Sequence, residues 1–246
     1  MTDVKTAVRE RYARKADGKD CCGSPESLGY TRADLESVPA DVSQASLGCG
    51  SPVHAAELKE GERVLDLGSG AGFDVFLASR AVGASGHVFG VDFTPEMLAR
   101  SRRSAAEQGL DQVTFLEGDI ESVPLPESSV DVVISNCVIN LAPDKSRVFA
   151  EAARVLVPGG RFVVADMLAT ERLPEALVSD AKSWGECIAG AIPREDYVAG
   201  LRRAGFDDVE VERFAGEEPC CGSDAGCCAT QPTVYSATIR AWKPRI

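Results

Sequence analysis

The chain has 246 residues, of which 26 are basic and 38 acidic, so its formal net charge is −12. This length and a hydrophobic content of 44% fit one large domain with modest additions. The negative charge argues against a nucleic-acid partner, because nucleic-acid-binding surfaces are rich in lysine and arginine. The sequence contains no run of about 18 apolar residues, so no membrane span is predicted. The charged first residues also lack a signal-peptide core, so we expect a cytoplasmic protein without a membrane partner.

The predicted elements begin with a cap and continue as alternating strands and helices. Val4, Val8 and Tyr12 recur at helical spacing, and a loop with glycine, proline and cysteine follows them. Further along, the predicted strands are 63–67, 87–91, 113–116, 130–135 and 161–165, and the predicted helices are 71–81, 95–108 and 144–156. The sequence Pro-Gly-Gly at 158–160 is expected to close the last of these helices. This alternation predicts an α/β protein with a doubly wound parallel sheet.

The alternation ends after residue 170. Two helices and then two strands are predicted at 174–189, 194–204, 209–214 and 234–241. Because no full helix separates the two strands, we expect them to form an antiparallel edge of the sheet, bridged by a cysteine-rich loop. The chain is therefore divided into a cap, a core and a region with helices, edge strands and loop, at 1–60, 61–170 and 171–246.

Nine cysteines are present, and their odd number argues against a complete disulfide framework. No two have the spacing Cys-x-x-Cys, and adjacent cysteines rarely both face one tetrahedral ion, so a zinc site is a poor interpretation. Six cysteines form the doublets Cys21-Cys22, Cys220-Cys221 and Cys227-Cys228, and three stand alone, at Cys49, Cys137 and Cys187. A single buried cysteine often only fills apolar space, and this interpretation applies to each of the three taken alone.

A glycine-rich turn follows the first predicted strand and contains Gly68, Ser69, Gly70 and Gly72. Glycine lets the backbone turn tightly and approach a ligand closely. The spacing lacks the last glycine of a dinucleotide fingerprint, because Phe73 follows Gly72. An acidic Asp66 within the strand suits a cationic or hydroxylated ligand better than a pyrophosphate.

Polar residues also end the next three predicted strands: Asp92, then Asp119-Ile120-Glu121, then Asn136. Together with the glycine turn, this series resembles the class I S-adenosylmethionine-dependent methyltransferases. The resemblance implies a Rossmann-like sheet that binds the methyl donor at the carboxyl ends of its strands. Asp92 is then expected to accept the ribose hydroxyls, and Asp119 and Ile120 to contact the adenine. The implied donor site consists of Asp66, Gly68, Ser69, Gly70, Gly72, Asp92, Asp119, Ile120, Glu121 and Asn136.

The acceptor side contains a thiol where many related enzymes have other groups. Nitrogen methyltransferases resemble one another in carrying Asn/Asp-Pro-Pro-Tyr/Phe after the fourth strand, whereas Cys137 follows Asn136 here. The two histidines, His54 in the cap and His87 at the start of a strand, are poorly placed to act as a general base. Thiolates favour soft metals and metalloids. Three thiolates on trivalent arsenic would leave its lone pair directed outward, toward a methyl group.

The single cysteines lie in contexts that resemble those of the arsenite methyltransferases. These contexts are Gly-Cys-Gly at 48–50, Ser-Asn-Cys-Val-Ile-Asn-Leu at 135–141 and Trp-Gly-Glu-Cys-Ile-Ala-Gly-Ala at 184–191. The resemblance implies that Cys49, Cys137 and Cys187 bind As(III) and that no permanent metal is needed. It further implies arsenite and methylarsenite as acceptors, with glutathione or a thioredoxin-type protein as reductant, in a detoxification reaction.

The same resemblance implies a fourth cysteine near the N-terminus, matched by Cys21 or Cys22, that forms a disulfide with Cys49 during turnover. Leu47 departs from the family pattern, which often has tyrosine before Gly-Cys-Gly. The C-terminal doublets are interpreted either as thiols that capture arsenic or exchange disulfides, or as part of a loop without essential function.

Two other functions are considered. One is methyl transfer to a small organic acceptor, in which the cysteines are incidental. The other is metalloid binding or sensing without catalysis. The complete set of donor residues argues against the second function, and no basic helix pair typical of a DNA-binding sensor is found.

Overall fold

A computed structural model describes residues 2–15, 29–44, 48–178, 184, 188–214 and 234–245. Its centre is a seven-stranded sheet in the order β3-β2-β1-β4-β5-β7-β6. The strands are β1 Arg63–Leu67, β2 His87–Asp92, β3 Val113–Glu117, β4 Val130–Asn136, β5 Leu156–Ala169, β6 Asp207–Arg213 and β7 Val234–Trp242. β1 to β5 are parallel, and β7 is antiparallel to both β5 and β6. The expected doubly wound sheet with an antiparallel edge is therefore confirmed.

The described helices are α1 Thr2–Lys15, α2 Arg32–Ser37, α3 Ala40–Gln44, α4 Pro52–Ala55, α5 Phe73–Val82, α6 Pro95–Gln108, α7 Lys145–Val155, α8 Glu175–Val178 and α9 Arg194–Arg203. Local chemistry explains several of their ends. α6 has proline at its start and ends at Gly109, whose φ of 64° suits glycine. α7 begins after Asp144, whose carboxylate accepts the N–H groups of Ser146 and Arg147. Within the described ranges, none of the helices has both the length and the apolar character needed to cross a bilayer.

The core occupies both faces of the sheet. On β4, Val133 contributes to the cluster that includes α7 and α9, whereas Val132 and Ile134 contribute to the cluster on the opposite face. Both faces being covered explains why this strand is a continuous apolar run rather than an alternating one. Tyr30 and Val42, from the predicted cap, pack into the second cluster beside α5 and α6.

Two predicted elements differ in the structure. The segment 158–160 was expected only to close the helix before it, and it also lies within β5, which begins earlier than the predicted strand 161–165. Backbone bonds explain the difference, because Gly159 donates to the carbonyl of Lys243 and Lys243 donates to Gly160, which pairs this segment with the end of the chain. Of the predicted helix 174–189, the structure describes α8, the helical residue 184 and a turn at 189–190. Residues 179–183 and 185–187 lie outside the described residues.

Candidate functional site

A cavity lies at the carboxyl ends of the parallel strands, between the glycine turn and α1. All of the residues predicted for the donor site line it, except Gly72 and Glu121. Val8 and Tyr12 of α1 line it from the other side. The structure thus brings together side chains from the ends of β1, β2, β3 and β4, as expected for a ligand site in an open parallel sheet.

The glycine turn adopts a backbone that few other residues tolerate. The φ angles of Gly68, Gly70 and Gly72 are 73°, 52° and 96°. A β-carbon on Gly68 would overlap the side chain of Val138, whereas no described atom lies within 4 Å of the position of a β-carbon on Gly70. The hydroxyl oxygen of Ser69 is buried and has no hydrogen-bond partner among the described residues. The turn therefore offers an open backbone approach and an unsatisfied polar atom to a ligand.

Three buried carboxyl groups surround the turn. Burial raises the pKa of Asp66 well above its usual value, and the charges of Asp74 and Asp92 raise it further. Burial also raises the pKa of Asp92, although N–H groups of Thr94 and Gly70 partly offset the effect. The pKa of Asp74 is raised to about 6 by burial, against hydrogen bonds from Tyr30 and Asn136. Such a cluster favours a ligand that carries positive charge or donates hydrogen bonds.

Helix α1 contacts the acidic residues that follow β3. Nζ of Lys5 lies 2.6 Å from Oδ2 of Asp119 and 2.7 Å from Oε2 of Glu121. Glu121 also accepts the N–H of Asp144, so its carboxylate connects α1 to the start of α7. Lys5 was not predicted as a site residue, because nothing near it in the sequence indicates a partner more than a hundred residues away.

Two of the predicted arsenic-binding cysteines are adjacent in space. Cys49 and Cys137 are joined by a disulfide, with their Cα atoms 5.7 Å apart. Cys137 has a φ of 59°, which is uncommon outside glycine and occurs preferentially at functional sites. The disulfide partners implied by the resemblance, Cys21 and Cys22, lie outside the described residues, as do Leu47 and the C-terminal doublets.

The third predicted cysteine, Cys187, also lies outside the described residues, but its flanks are described. The Nζ atom of Lys145 is 5.7 Å from the ring centroid of Trp184. A β-carbon on Gly190 would overlap the carbonyl of Asn140, whose side-chain amide donates to the carbonyl of Met167. Both flanks therefore lie against the segment that follows Cys137.

The side chain of Asn136 is directed at the loop that contains Cys49. Its Oδ1 atom accepts the N–H of Cys49, and its Nδ2 atom donates to the carbonyl of Gly50 and to the hydroxyl of Tyr30. Asn136 lines the donor cavity, yet its polar atoms are engaged by protein groups. Tyr30 and Asp74 complete this network and were not identified from the sequence, because their partners come from distant segments.

Comparison with known proteins identifies the family. The family model described as a methyltransferase domain matches residues 58–216. The crystal structure of CrArsM, an arsenic(III) S-adenosylmethionine methyltransferase from Chlamydomonas reinhardtii, aligns with a TM-score of 0.73 at 40% identity, covering 87% of this chain and 73% of that one. The chain belongs to the arsenite methyltransferase group of the methyltransferase family.

Curated relatives of this family member agree with that assignment. The arsenite methyltransferase of Halobacterium salinarum is 45% identical over 230 residues, which are 85% of this chain and 59% of the relative. The human arsenite methyltransferase is 36% identical over 221 residues, covering 83% of this chain and 57% of the relative. The chain thus spans less than two thirds of the length of both proteins.

Proposed function

We propose that this family member transfers a methyl group from S-adenosylmethionine to trivalent arsenic held by the thiolates of Cys49, Cys137 and Cys187. The observation that carries the proposal is the contact of Cys49 with Cys137 one residue beyond Asn136, which lines the cavity. The packing of Trp184 and Gly190 against Lys145 and Asn140 supports Cys187 as the third ligand. The relatives described above support arsenite as the acceptor.

The residues around the cavity fit the proposed donor. When bound, S-adenosylmethionine supplies a methyl group on a positively charged sulfur, so that the acceptor needs a lone pair but no general base. The buried carboxyls of Asp66 and Asp92 suit its charge and hydroxyl groups. The Ser69 hydroxyl, which has no hydrogen-bond partner among the described residues, offers a further polar contact. Ile120 is 7% exposed and offers an apolar surface for the adenine of the donor.

The cysteines account for the acceptor chemistry. Binding of arsenous acid to three thiols releases three water molecules and leaves arsenic with one lone pair. Only reduced thiols bind arsenic in this way, so the Cys49–Cys137 disulfide must first accept two electrons from a thiol reductant. Methylation then oxidises arsenic from the trivalent to the pentavalent state, and a second pair of electrons regenerates a trivalent product. We therefore propose glutathione or a thioredoxin-type reductant, methylarsenite as a further acceptor, and a reducing cytoplasmic location.

The test separates arsenic binding from donor binding. With arsenite, S-adenosylmethionine and glutathione, chromatographic speciation of arsenic should show methylated products for the wild-type protein. Cys137→Ser should reduce the product at least about a hundredfold, because two thiolates hold arsenic less tightly than three. The affinity of that variant for S-adenosylhomocysteine, measured by calorimetry, should stay within about twofold of wild type, because no donor contact is removed.

Asp92→Asn is the reciprocal variant. It keeps the size of the side chain but removes the carboxylate expected to bind the ribose, so donor affinity should fall about tenfold or more while arsenite binding persists. Methylation of an organic acceptor in place of arsenite would reject the proposal. Arsenite methylation retained in Cys137→Ser would reject the three-thiolate site and leave only the donor site.

A further inference from the structure

We propose that Asn136 is a positioning residue whose side-chain amide holds Cys49 beside Cys137, ready for both sulfurs to bind one soft atom. The use of the pair for arsenic rests on the proposed function, whereas the contact itself is tested without arsenic. This role differs from the donor contact that the sequence predicts for Asn136. Tyr30 and Asp74 hold the amide in place through hydrogen bonds. We call the three residues Asn136, Tyr30 and Asp74 the amide brace.

The amide of Asn136 binds the backbone on both sides of the Cys49 side chain. Its Oδ1 atom lies 2.8 Å from the nitrogen of Cys49, and its Nδ2 atom lies 2.8 Å from the carbonyl oxygen of Gly50. A backbone nitrogen only donates and a carbonyl only accepts, so the partners determine the orientation of the amide. Because Asn136 directly precedes Cys137, one residue fixes where the two cysteines meet.

The two glycines around Cys49 allow this contact. A β-carbon on Gly48 would lie 2.5–2.8 Å from the three terminal atoms of the Asn136 amide. A β-carbon on Gly50 would lie 2.9 Å from the β-carbon of Ala165, whose carbonyl accepts the N–H of Cys137. Any larger residue at either position would separate the loop from the strand ends. The Gly-Cys-Gly sequence is thus explained by the close approach to Asn136 and Ala165.

Tyr30 and Asp74 anchor the amide from behind. The Tyr30 hydroxyl donates to Oδ1 of Asp74 over 2.7 Å and accepts from Nδ2 of Asn136 over 2.9 Å. Nδ2 also lies 3.2 Å from Oδ2 of Asp74, and both Tyr30 and Asp74 are buried. Burial and the Asp74 charge raise the pKa of Tyr30, so its phenol keeps the proton that it donates. The amide brace therefore joins the Cys49 loop to the first turn of α5.

The amide brace predicts a measurable property of the thiol pair. A side chain that holds two thiols in contact raises their effective concentration and favours their disulfide over mixed disulfides with glutathione. Replacing a residue that merely stabilised the sheet would lower the stability of the whole protein without altering this equilibrium in the folded state. The disulfide equilibrium of Cys49 and Cys137 therefore distinguishes positioning from general support.

The experiment equilibrates the full-length protein in mixtures of reduced and oxidised glutathione, then traps free thiols and quantifies the Cys49–Cys137 peptide pair by mass spectrometry. Each disulfide formed in the protein converts one oxidised glutathione into two reduced molecules. Asn136→Ala should lower the equilibrium constant about tenfold or more, because Cys49 loses both backbone contacts. Tyr30→Phe should lower it by a smaller factor, because the amide keeps its contacts with Cys49 and Gly50 but loses one anchor.

Ser135→Ala is the matched control. It removes a buried hydrogen bond from the hydroxyl of Ser135 to the carbonyl of Leu67, next to Asn136 but directed away from the Cys49 loop. Its equilibrium constant should match wild type within about twofold, since neither cysteine loses a contact. Circular dichroism verifies folding of each variant; if Asn136→Ala does not fold, Tyr30→Phe decides.

Three outcomes would overturn the amide brace. The first is a wild-type equilibrium constant in the folded Asn136→Ala variant or, where that variant is unfolded, in Tyr30→Phe. The others are an equal shift of the constant in Ser135→Ala and the absence of a Cys49–Cys137 disulfide in the wild-type protein. Neither arsenic nor the methyl donor is present in this measurement. Failure to methylate arsenite would therefore reject the proposed function and leave the amide brace standing. An unchanged disulfide equilibrium would reject the amide brace and leave the proposed function standing.

Discussion

Gly68 illustrates how closely the glycine turn approaches the strand beside it. Its φ of 73° is unfavourable for residues with a β-carbon, and such a carbon would also overlap the side chain of Val138. Val138 directly follows Cys137, so Gly68 sits between the donor cavity and the thiol pair. The lack of a single side chain thus allows the two halves of the proposed site to touch.

We expect Gly68→Ala to displace the turn and to lower the affinity for S-adenosylhomocysteine about tenfold or more, since both the backbone conformation and the available space oppose the new side chain. Isothermal titration calorimetry measures this affinity. Gly109→Ala is the control, because Gly109 has a φ of 64° but no described atom lies within 4 Å of its β-carbon position. That change should cost only about 1 kcal/mol of backbone strain. Equal affinities in wild type and Gly68→Ala would contradict the expectation.

The position of helix α1 is set by contacts with residues distant in sequence. Val8 packs with Cys137 and Leu141, and Lys5 pairs with Asp119 and Glu121. The pair with Asp119 is half exposed and contributes little, whereas Glu121 is only 7% exposed and depends more on the lysine charge. The ion pairs therefore fasten a helix that covers the donor cavity.

Lys5→Met keeps the aliphatic stem but removes the charge. We expect α1 to detach more often, by a free-energy change of about 1 kcal/mol, so that chymotrypsin cleaves after Tyr12 about fivefold faster. The cleavage rate is followed by mass spectrometry of the intact chain. Arg172→Met removes an exposed ion pair with Asp196 and should leave the rate unchanged. A wild-type rate in Lys5→Met would show that apolar packing alone holds the helix.

For the molecule as a whole, the strand order explains why a donor cavity and a thiol pair meet. From β1 the chain proceeds outward through β2 and β3, and from β4 it proceeds the other way to β5. The loops after β1 and β4 therefore diverge and leave a crevice at the carboxyl edge of the sheet. The glycine turn follows β1 and Cys137 follows β4, so both border the same crevice.

The stability of the whole molecule should depend on Asp166, a buried carboxyl of β5. Burial raises the pKa of Asp166 to about 7, although the charge of Lys145 opposes this change. Because the folded-state pKa exceeds the ordinary value of 3.8, the folded protein binds this proton more tightly than the unfolded chain does. The contribution to stability is therefore complete below the ordinary pKa and is lost as the pH rises through 7.

We expect Asp166→Asn to abolish this loss, which amounts to as much as about 3 kcal/mol between about pH 5 and about pH 8 in the wild-type protein. Urea unfolding at several pH values measures it. Asp131→Asn is the control: burial raises the pKa of Asp131, but hydrogen bonds from Arg63 lower it to a net value below the ordinary one. Its slope over the same range should match wild type. An unchanged slope in Asp166→Asn would show that Asp166 is ionised throughout.

Features that depend on neighbours along the chain could be predicted from the sequence. Apolar runs such as 130–135 predicted buried strands, because a strand covered on both faces has no polar positions. Pro95 and Gly109 mark the two ends of a helix, because their own backbone preferences favour a helix start and a helix end. The glycine turn and the acids at the strand ends predicted a ligand site, because parallel strands end at one edge. The same local rules placed the start of the strand 161–165 too late, because pairing with the distant end of the chain extends β5 through 158–160.

Contacts between distant groups became known only from the folded structure. Cys49 contacts Cys137 across 88 residues, Lys5 reaches Asp119, and the amide of Asn136 forms a hydrogen bond with the Cys49 loop. No periodic pattern or residue spacing in the sequence indicates these contacts. Hydrogen bonds and disulfides between loops depend on where the sheet places the ends of those loops. Such contacts depend on the three-dimensional distance between residues that are far apart along the chain. The fold sets this distance, and the order of residues alone does not show it.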